Sequence, residues 1–233
     1  MTTSLQIGLL LFPDLTQLDL TGPLQVFARL PGATVHLVAK TMAPVPSDTP
    51  LLLTPTITFA ACPQLDVLCV PGGRGTDAVL DDEETLAFLR RQAESARFVT
   101  SVCTGALLLG AAGLLRGYRA TTHWSALDGL GAFGAIATKA RVCVDRNRIT
   151  GGGVTAGIDF ALLLASMLTD RATAELIQLA LEYAPAPPFA AGSPQTAAPA
   201  ILARLRDLTA GARQQRQAAI NRAAHKLRSC PLG

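Results

Sequence analysis

No apolar run in this 233-residue chain reaches the ~18 residues that a membrane-spanning helix needs, so the sequence points away from a membrane partner. The five cysteines (62, 69, 103, 143 and 230) show no CxxC spacing, and their number is odd. Cys69 and Cys143 lie inside the apolar runs "DVLCVPGG" and "RVCVD". This argues against a disulfide framework and for a reducing, cytoplasmic setting. Histidine is scarce: three residues, no two at i, i+4, offer no metal-site pattern. The N-terminus "MTTSLQIGLLLFPDL" has no basic region before its apolar stretch, and it reads as a strand rather than a signal peptide. Aromatic residues are 5% of the chain, and residues 201–233 have none. That tail carries seven Lys or Arg against one acid, yet it has nothing to stack on bases. It reads as a solvated helix face, not as a nucleic-acid site.

What is present alternates. "LQIGLLLF" (5–12), "ATVHLVAK" (33–40), "LDVLCVPGG" (65–73) and "RFVTSV" (97–102) are nearly continuous apolar strands, the pattern of a sheet buried on both faces. Two more strands fall at 141–145 and 146–153, and "RATTH" (119–123) is another. Helical patterns cover 22–30, with Pro23 near the start, then 81–96, 104–115, 155–168 and 171–183. Residues 41–63, rich in Pro and Thr, read as a short hairpin or edge strands. The alternation predicts an α/β fold: a flavodoxin-like, doubly wound, mostly parallel sheet with helices on both faces. A Pro/Ala-rich connection at 184–200 leads to Ile201, Leu205, Leu208, Ala212, Ile220, Ala223 and Leu227 at helical spacing. This predicts one long C-terminal helix of ~25 residues, suited to a dimer interface. Residues 1–200 thus form one α/β domain, and 201–233 a helical extension of it.

Chemistry concentrates at one junction. In "RFVTSVCTGALLLGAAGLL" (97–115) a strand passes to a helix with no spacer, and Cys103 sits at the turn. Such an elbow pushes its central side chain out of the layers and aims the first helical N–H groups at it. Cysteines at helix N-termini can fall to about 3.5–7.5 in pKa, so Cys103 reads either as an ionised nucleophile or as a small buried hydrophobe. The carboxyl ends of parallel strands meet at one sheet edge. The first strand leads to "PDLTQLDLTGP", with Asp19, and the strand at 65–70 ends in Gly72 and Gly73. A nucleophile, a carboxylate and glycine N–H groups are the parts of covalent catalysis with stabilisation of a developing anion. Each part also has a plain reading: Asp19 as a helix cap, the glycines as a turn needing positive φ. His123, in "TTHW", is the base to seek for a Cys–His pair, or else a packed strand-end histidine.

"VTSVCTGALLLGAAGLL", "GLLLFPDLTQLDLTGP", "CVPGG", "ATTHW" and "TGGGVTAGIDFALLL" resemble the class I glutamine amidotransferase-like superfamily that contains the ThiJ/PfpI proteins, from residue 5 to about 190. Within it, "LDLTGP", "SVCTG" and "QLALEYAPAPPFAAGSP" look most like the bacterial isocyanide hydratases. The resemblance implies a homodimeric α/β fold that needs neither metal nor organic cofactor. It implies Cys103 as nucleophile and Asp19 as essential acid, with backbone N–H groups near Gly72, Gly73 and Thr104 stabilising or positioning charge. The expected reaction adds the Cys103 sulfur to the isocyanide carbon, gives a thioimidate, and lets water release an N-substituted formamide. Thr104 stands where the superfamily's peptidases carry His, and Ser101 stands where amidotransferases favour Gly. Three alternatives remain open. One is a glyoxalase- or deglycase-like enzyme. Another is a free-standing sensor related to AraC-type regulators, whose helix-turn-helix unit is longer than the ~33 residues after Ala200. The third is a redox sensor using the same thiol.

Overall fold

The computed structural model describes residues 4–229; Cys230 lies outside them. In chain order the elements are β1 (Leu5–Leu10), α1 (Gln17–Phe27), β2 (Ala33–Ala39), β3 (Val45–Pro46), β4 (Leu52–Leu53), β5 (Ile57–Thr58) and β6 (Val67–Val70). Then come α2 (Thr76–Val79), α3 (Glu83–Ala93), β7 (Phe98–Val102), α4 (Gly105–Ala111), β8 (Arg119–Ala120), a 3₁₀ segment (Trp124–Phe133) and β9 (Ile136–Ala137). The chain continues through β10 (Val142–Asp145), β11 (Arg148–Gly151), α5 (Ala156–Leu168), α6 (Arg171–Ala180), α7 (Pro199–Leu208) and α8 (Ala210–Ser229).

Seven strands form one sheet in the order β10-β11-β7-β6-β1-β2-β5. All neighbours are parallel except β10 and β11, which pair antiparallel at one edge. β6, β7 and β11 are buried along nearly their whole length, as their continuous apolar runs require. One group of helices brings α1 against α5, with α6 beyond; another brings α4 against α3 and α8. Asp82 caps α3 through the Thr85 amide, and acids in the first turn with arginines in the last complement the helix dipole.

Four elements differ from the sequence reading. α1 starts at Gln17, not Gly22, so Pro23 lies inside it and Asp19 stands in its first turn. Pro23 offers no N–H to the Asp19 carbonyl. Burial compensates: Gly22 and Gly157 have almost no room for a Cβ against Ile158 and Pro23 where α1 crosses α5. α4 spans seven residues, not twelve, and ends in tight turns before Leu115. The strand expected at 119–123 shrinks to β8, which pairs with β9 outside the main sheet. The single C-terminal helix is two: the chain turns at Thr209, where the hydroxyl and the amide both bond the Leu205 carbonyl.

Candidate active site

The strand β7 delivers Cys103 to the elbow with φ +53°, a conformation that ordinary side chains avoid. The strain is held by dense hydrogen bonding. The Cys103 amide donates to the carbonyls of Gly151 and Gly152 at 3.1 and 2.8 Å, and its own carbonyl accepts from the Thr122 hydroxyl at 2.6 Å. Gly105 follows because a Cβ there would stand 2.2 Å from the Val70 carbonyl oxygen, so the helix after the elbow sits directly on β6.

Asp19 reaches the same place from α1 and is fully buried. One carboxylate oxygen, Oδ2, accepts from the Gly72 amide at 2.9 Å, and the other, Oδ1, has no hydrogen-bond partner among the described residues. Desolvation outweighs this single bond and the neighbouring Cys103 thiol, and it raises the carboxyl to about 7. At neutral pH Asp19 is therefore poised between its protonated and ionised forms.

Gly72 and Gly73 hold this arrangement together. A Cβ on Gly72 would lie 2.5 Å from the Thr104 amide nitrogen and 3.0 Å from Asp19 Oδ2. Gly73 has φ +138°, and its amide donates to the Thr104 hydroxyl at 3.0 Å. Both glycine amides are thus spent on positioning, one on Asp19 and one on Thr104, so neither is free to receive a developing anion. The Thr104 hydroxyl also meets the Thr76 hydroxyl at 2.9 Å. The Thr104 amide instead faces the Cys103 sulfur and favours its ionised form.

The thiol itself runs against the expectation of a low pKa. Cys103 is only 7% exposed, and burial pushes it well up, with the Asp19 charge adding to the rise. The Thr104 amide, the Thr104 hydroxyl and Arg216 pull the other way without overcoming burial. α4 is too short to supply the full dipole that the sequence reading relied on. The thiol and Asp19 therefore form a pair in which the carboxyl loses its proton first.

His123 does not join that pair. Its Nδ1 sits 2.8 Å from the Ser125 hydroxyl at the start of the 3₁₀ segment, and burial lowers its pKa. It lines a cavity of about 710 Å³ with Trp124, Lys139, Gly153 and Arg206. Thr122 and Gly152, which fix the Cys103 backbone, line the same cavity.

Arg216 and Asp77 were not singled out in the sequence. Arg216 Nε donates to Asp77 Oδ1 at 2.7 Å, bringing the C-terminal helix to the elbow. A signal existed: position 216 falls on the apolar stripe of α8, at helical spacing from Ala219, Ile220, Ala223 and Leu227, all buried. A cation in a buried stripe needs a partner, and here it has one.

A sequence profile of the DJ-1/PfpI family matches residues 6–167. The chain is 58% identical over 224 residues to the isonitrile hydratase of Pseudomonas putida, a match covering 96% of this chain and 98% of that protein. It is 34% identical over 166 residues to the HTH-type transcriptional regulator GbdR of Pseudomonas aeruginosa, a match spanning 68% of this chain but 45% of the regulator. The crystal structure of a ThiJ/PfpI family protein from Pseudomonas syringae superposes with a TM-score of 0.91 at 49% identity, covering 93% of this chain and 90% of that one.

Proposed function

The chain belongs to the DJ-1/PfpI family, and from its 58% identity to an isonitrile hydratase over nearly the whole of both chains we propose that it is an isonitrile hydratase, converting R–NC and water to the formamide R–NH–CHO. The observation that carries the reading is the juxtaposition of a thiol on a strained elbow with a buried carboxyl whose pKa is raised to about 7. Isonitrile hydration needs a nucleophile for the terminal carbon and one group that gives a proton, then takes one.

The steps follow from those two side chains. The reactive form of the pair holds one proton, with sulfur anionic and Asp19 neutral. Sulfur attacks the terminal carbon, and Asp19 gives its proton to that carbon, forming the thioimidate R–N=CH–S–Cys103. Asp19, now ionised, takes a proton from water as the hydroxide adds to the same carbon, and passes that proton to nitrogen. The hydroxyl proton then goes to Asp19 as the C–S bond breaks, which releases R–NH–CHO and restores the pair. The Thr104 amide faces the sulfur and offsets the charge it carries at the start and end of the cycle. Gly72 keeps the carboxyl turned towards the thiol.

The surroundings fit this reading. The cavity of about 710 Å³ adjoins Thr122 and Gly152, which bond the Cys103 backbone, and Trp124 and Leu127 in its lining offer apolar contact for a substituent R. The buried, high-pKa thiol suits a proton-coupled nucleophile better than a redox sensor, which works through an exposed thiolate. Arg222 and Lys226 of the basic tail are paired with Asp81, which supports a small-molecule partner rather than nucleic acid. The described cysteines are free, in keeping with a cytoplasmic enzyme, and no described helix is long and apolar enough to cross a membrane. α7 buries no residue and exposes Ile201, Leu205 and Leu208, a face suited to a homodimer contact.

The test is steady-state formation of N-arylformamide from an aryl isonitrile, with methylglyoxal run in parallel. Turnover of the isonitrile that is lost in Cys103→Ser and Asp19→Asn supports the proposal. Turnover of methylglyoxal alone would replace it with the deglycase-like alternative.

A further inference from the structure

The C-terminal helix carries a group into the centre of the site. Arg216 is anchored on one side by Asp77 of α2, at 2.7 Å, and its Nη2 lies 3.5 Å from the Gly73 carbonyl. Gly73 donates to the Thr104 hydroxyl, and Thr104 is the residue after the nucleophile. The guanidinium side chain is 17% exposed and Asp77 22%, so the pair is largely withdrawn from screening by water. The apolar contacts of Ala219, Ile220 and Ala223 prevent this turn of the helix from drifting. Arg216 also borders a cavity of about 360 Å³ that includes Ser125, the partner of His123.

The charged and titratable groups around the sulfur are few. Asp19 faces it from α1 and Arg216 from α8. Asp77 faces Arg216 from α2, and His123, at the start of the 3₁₀ segment, also feels the guanidinium. Asp77 offsets part of the charge of Arg216 through Nε, while Nη2 on the same edge of the guanidinium lies 3.5 Å from the Gly73 carbonyl at the elbow. Arg216 is the one cation in this set.

We propose that Arg216 is the fixed positive charge that stabilises the Cys103 sulfur anion, held in place by Asp77, which makes the C-terminal helix a working part of the active site. The inference rests on Cys103 being the nucleophile. An anion generated inside a buried elbow has little water to stabilise it, and Arg216 supplies that stabilisation without titrating. Its counter-charge Asp77 holds the guanidinium at the elbow, against swinging towards solvent.

The experiment follows the rate of Cys103 alkylation by iodoacetamide, an uncharged reagent, at fixed pH 8, read on the Cys103 peptide so that other cysteines do not interfere. Wild type is compared with Arg216→Met, which keeps the apolar stem, and Arg216→Lys, which keeps the charge. The expected result is alkylation about tenfold slower in Arg216→Met, with Arg216→Lys lying between it and wild type. kcat/KM for isonitrile hydration is expected to fall about tenfold or more in Arg216→Met, with KM little changed. An unchanged alkylation rate would overturn the proposal even if activity fell, because a purely structural Arg216 would leave the population of sulfur anion alone. Should Arg216→Met fail to fold, Arg216→Gln, which can still hydrogen-bond Asp77, carries the same reading. Slowed alkylation in a protein with no hydratase turnover would sustain the electrostatic role and defeat the proposed reaction instead.

Discussion

The elbow around Cys103 is packed from within the sheet, whereas α8 is laid onto it from outside. At the elbow every contact is backbone-tight: Gly72, Gly73 and Gly105 have no room for a side chain, and the Cys103 amide and carbonyl are both bound. α8 holds on by one apolar stripe and by ion pairs to Asp77 and Asp81. α7, one turn upstream, buries nothing at all. The elbow fixes geometry and strips water from the acid. α8 brings charge to a place where the sheet edge provides none. Geometry at the elbow should therefore tolerate almost no change, α8 should tolerate some, and α7 should be nearly indifferent.

The largest expected effect comes from the buried acid. Its folded pKa of about 7 lies above the ordinary 3.8, so the native state holds a proton that the unfolded chain has released. That stabilisation is complete below the unfolded pKa and is lost as pH rises through about 7, a total of roughly 4 kcal/mol for about three units. Asp19→Asn removes the dependence. Urea unfolding of both proteins from pH 4 to pH 8 should show the variant gaining on wild type by that order, and a constant difference would place the acid in a wetter setting.

Next is the anchor of α8. Ile220 is 2% exposed and packs against Gly129 of the 3₁₀ segment, so Ile220→Ala should cost about 3 kcal/mol in the same assay. A smaller stability change comes from Gly72→Ala, about 1–3 kcal/mol, because the new methyl must displace Thr104 or Asp19. Its activity should nonetheless drop on the order of 100-fold, since it moves the acid relative to the thiol. If Ile220→Ala impaired activity more than Gly72→Ala, the division of labour between elbow and helix would be reversed. The smallest effect belongs to α7: Leu208, 75% exposed, changed to Gln should alter the unfolding free energy of the dilute protein by less than about 0.5 kcal/mol.

Much of the elbow was legible in the sequence because it is local. A buried strand, a cysteine and a glycine at the helix start lie within eight residues, and the strand pattern of 65–73 announces its glycines. Asp19 was legible as a residue but not as part of α1, because Pro23 reads as a helix start; only the packing of Gly22 and Gly157 explains why the helix begins earlier. The ionisation of Cys103 stayed open between thiolate and buried hydrophobe, since local sequence reports the helix end but not the burial that opposes it. Arg216 lies more than a hundred residues from the elbow, and a basic amphipathic stretch looks the same whether its cation faces water or Asp77.

The most direct test of the account is the pH profile of kcat/KM for isonitrile hydration between pH 5 and 9. The reactive Asp19–Cys103 pair holds one proton, and below about 7 it holds two, because burial raises the carboxyl to that value and the thiol higher still. The account predicts a rate that climbs with pH through about 7 and then levels, the slope of a single proton lost. A rate that is flat across this range, or that falls through 7, would contradict it.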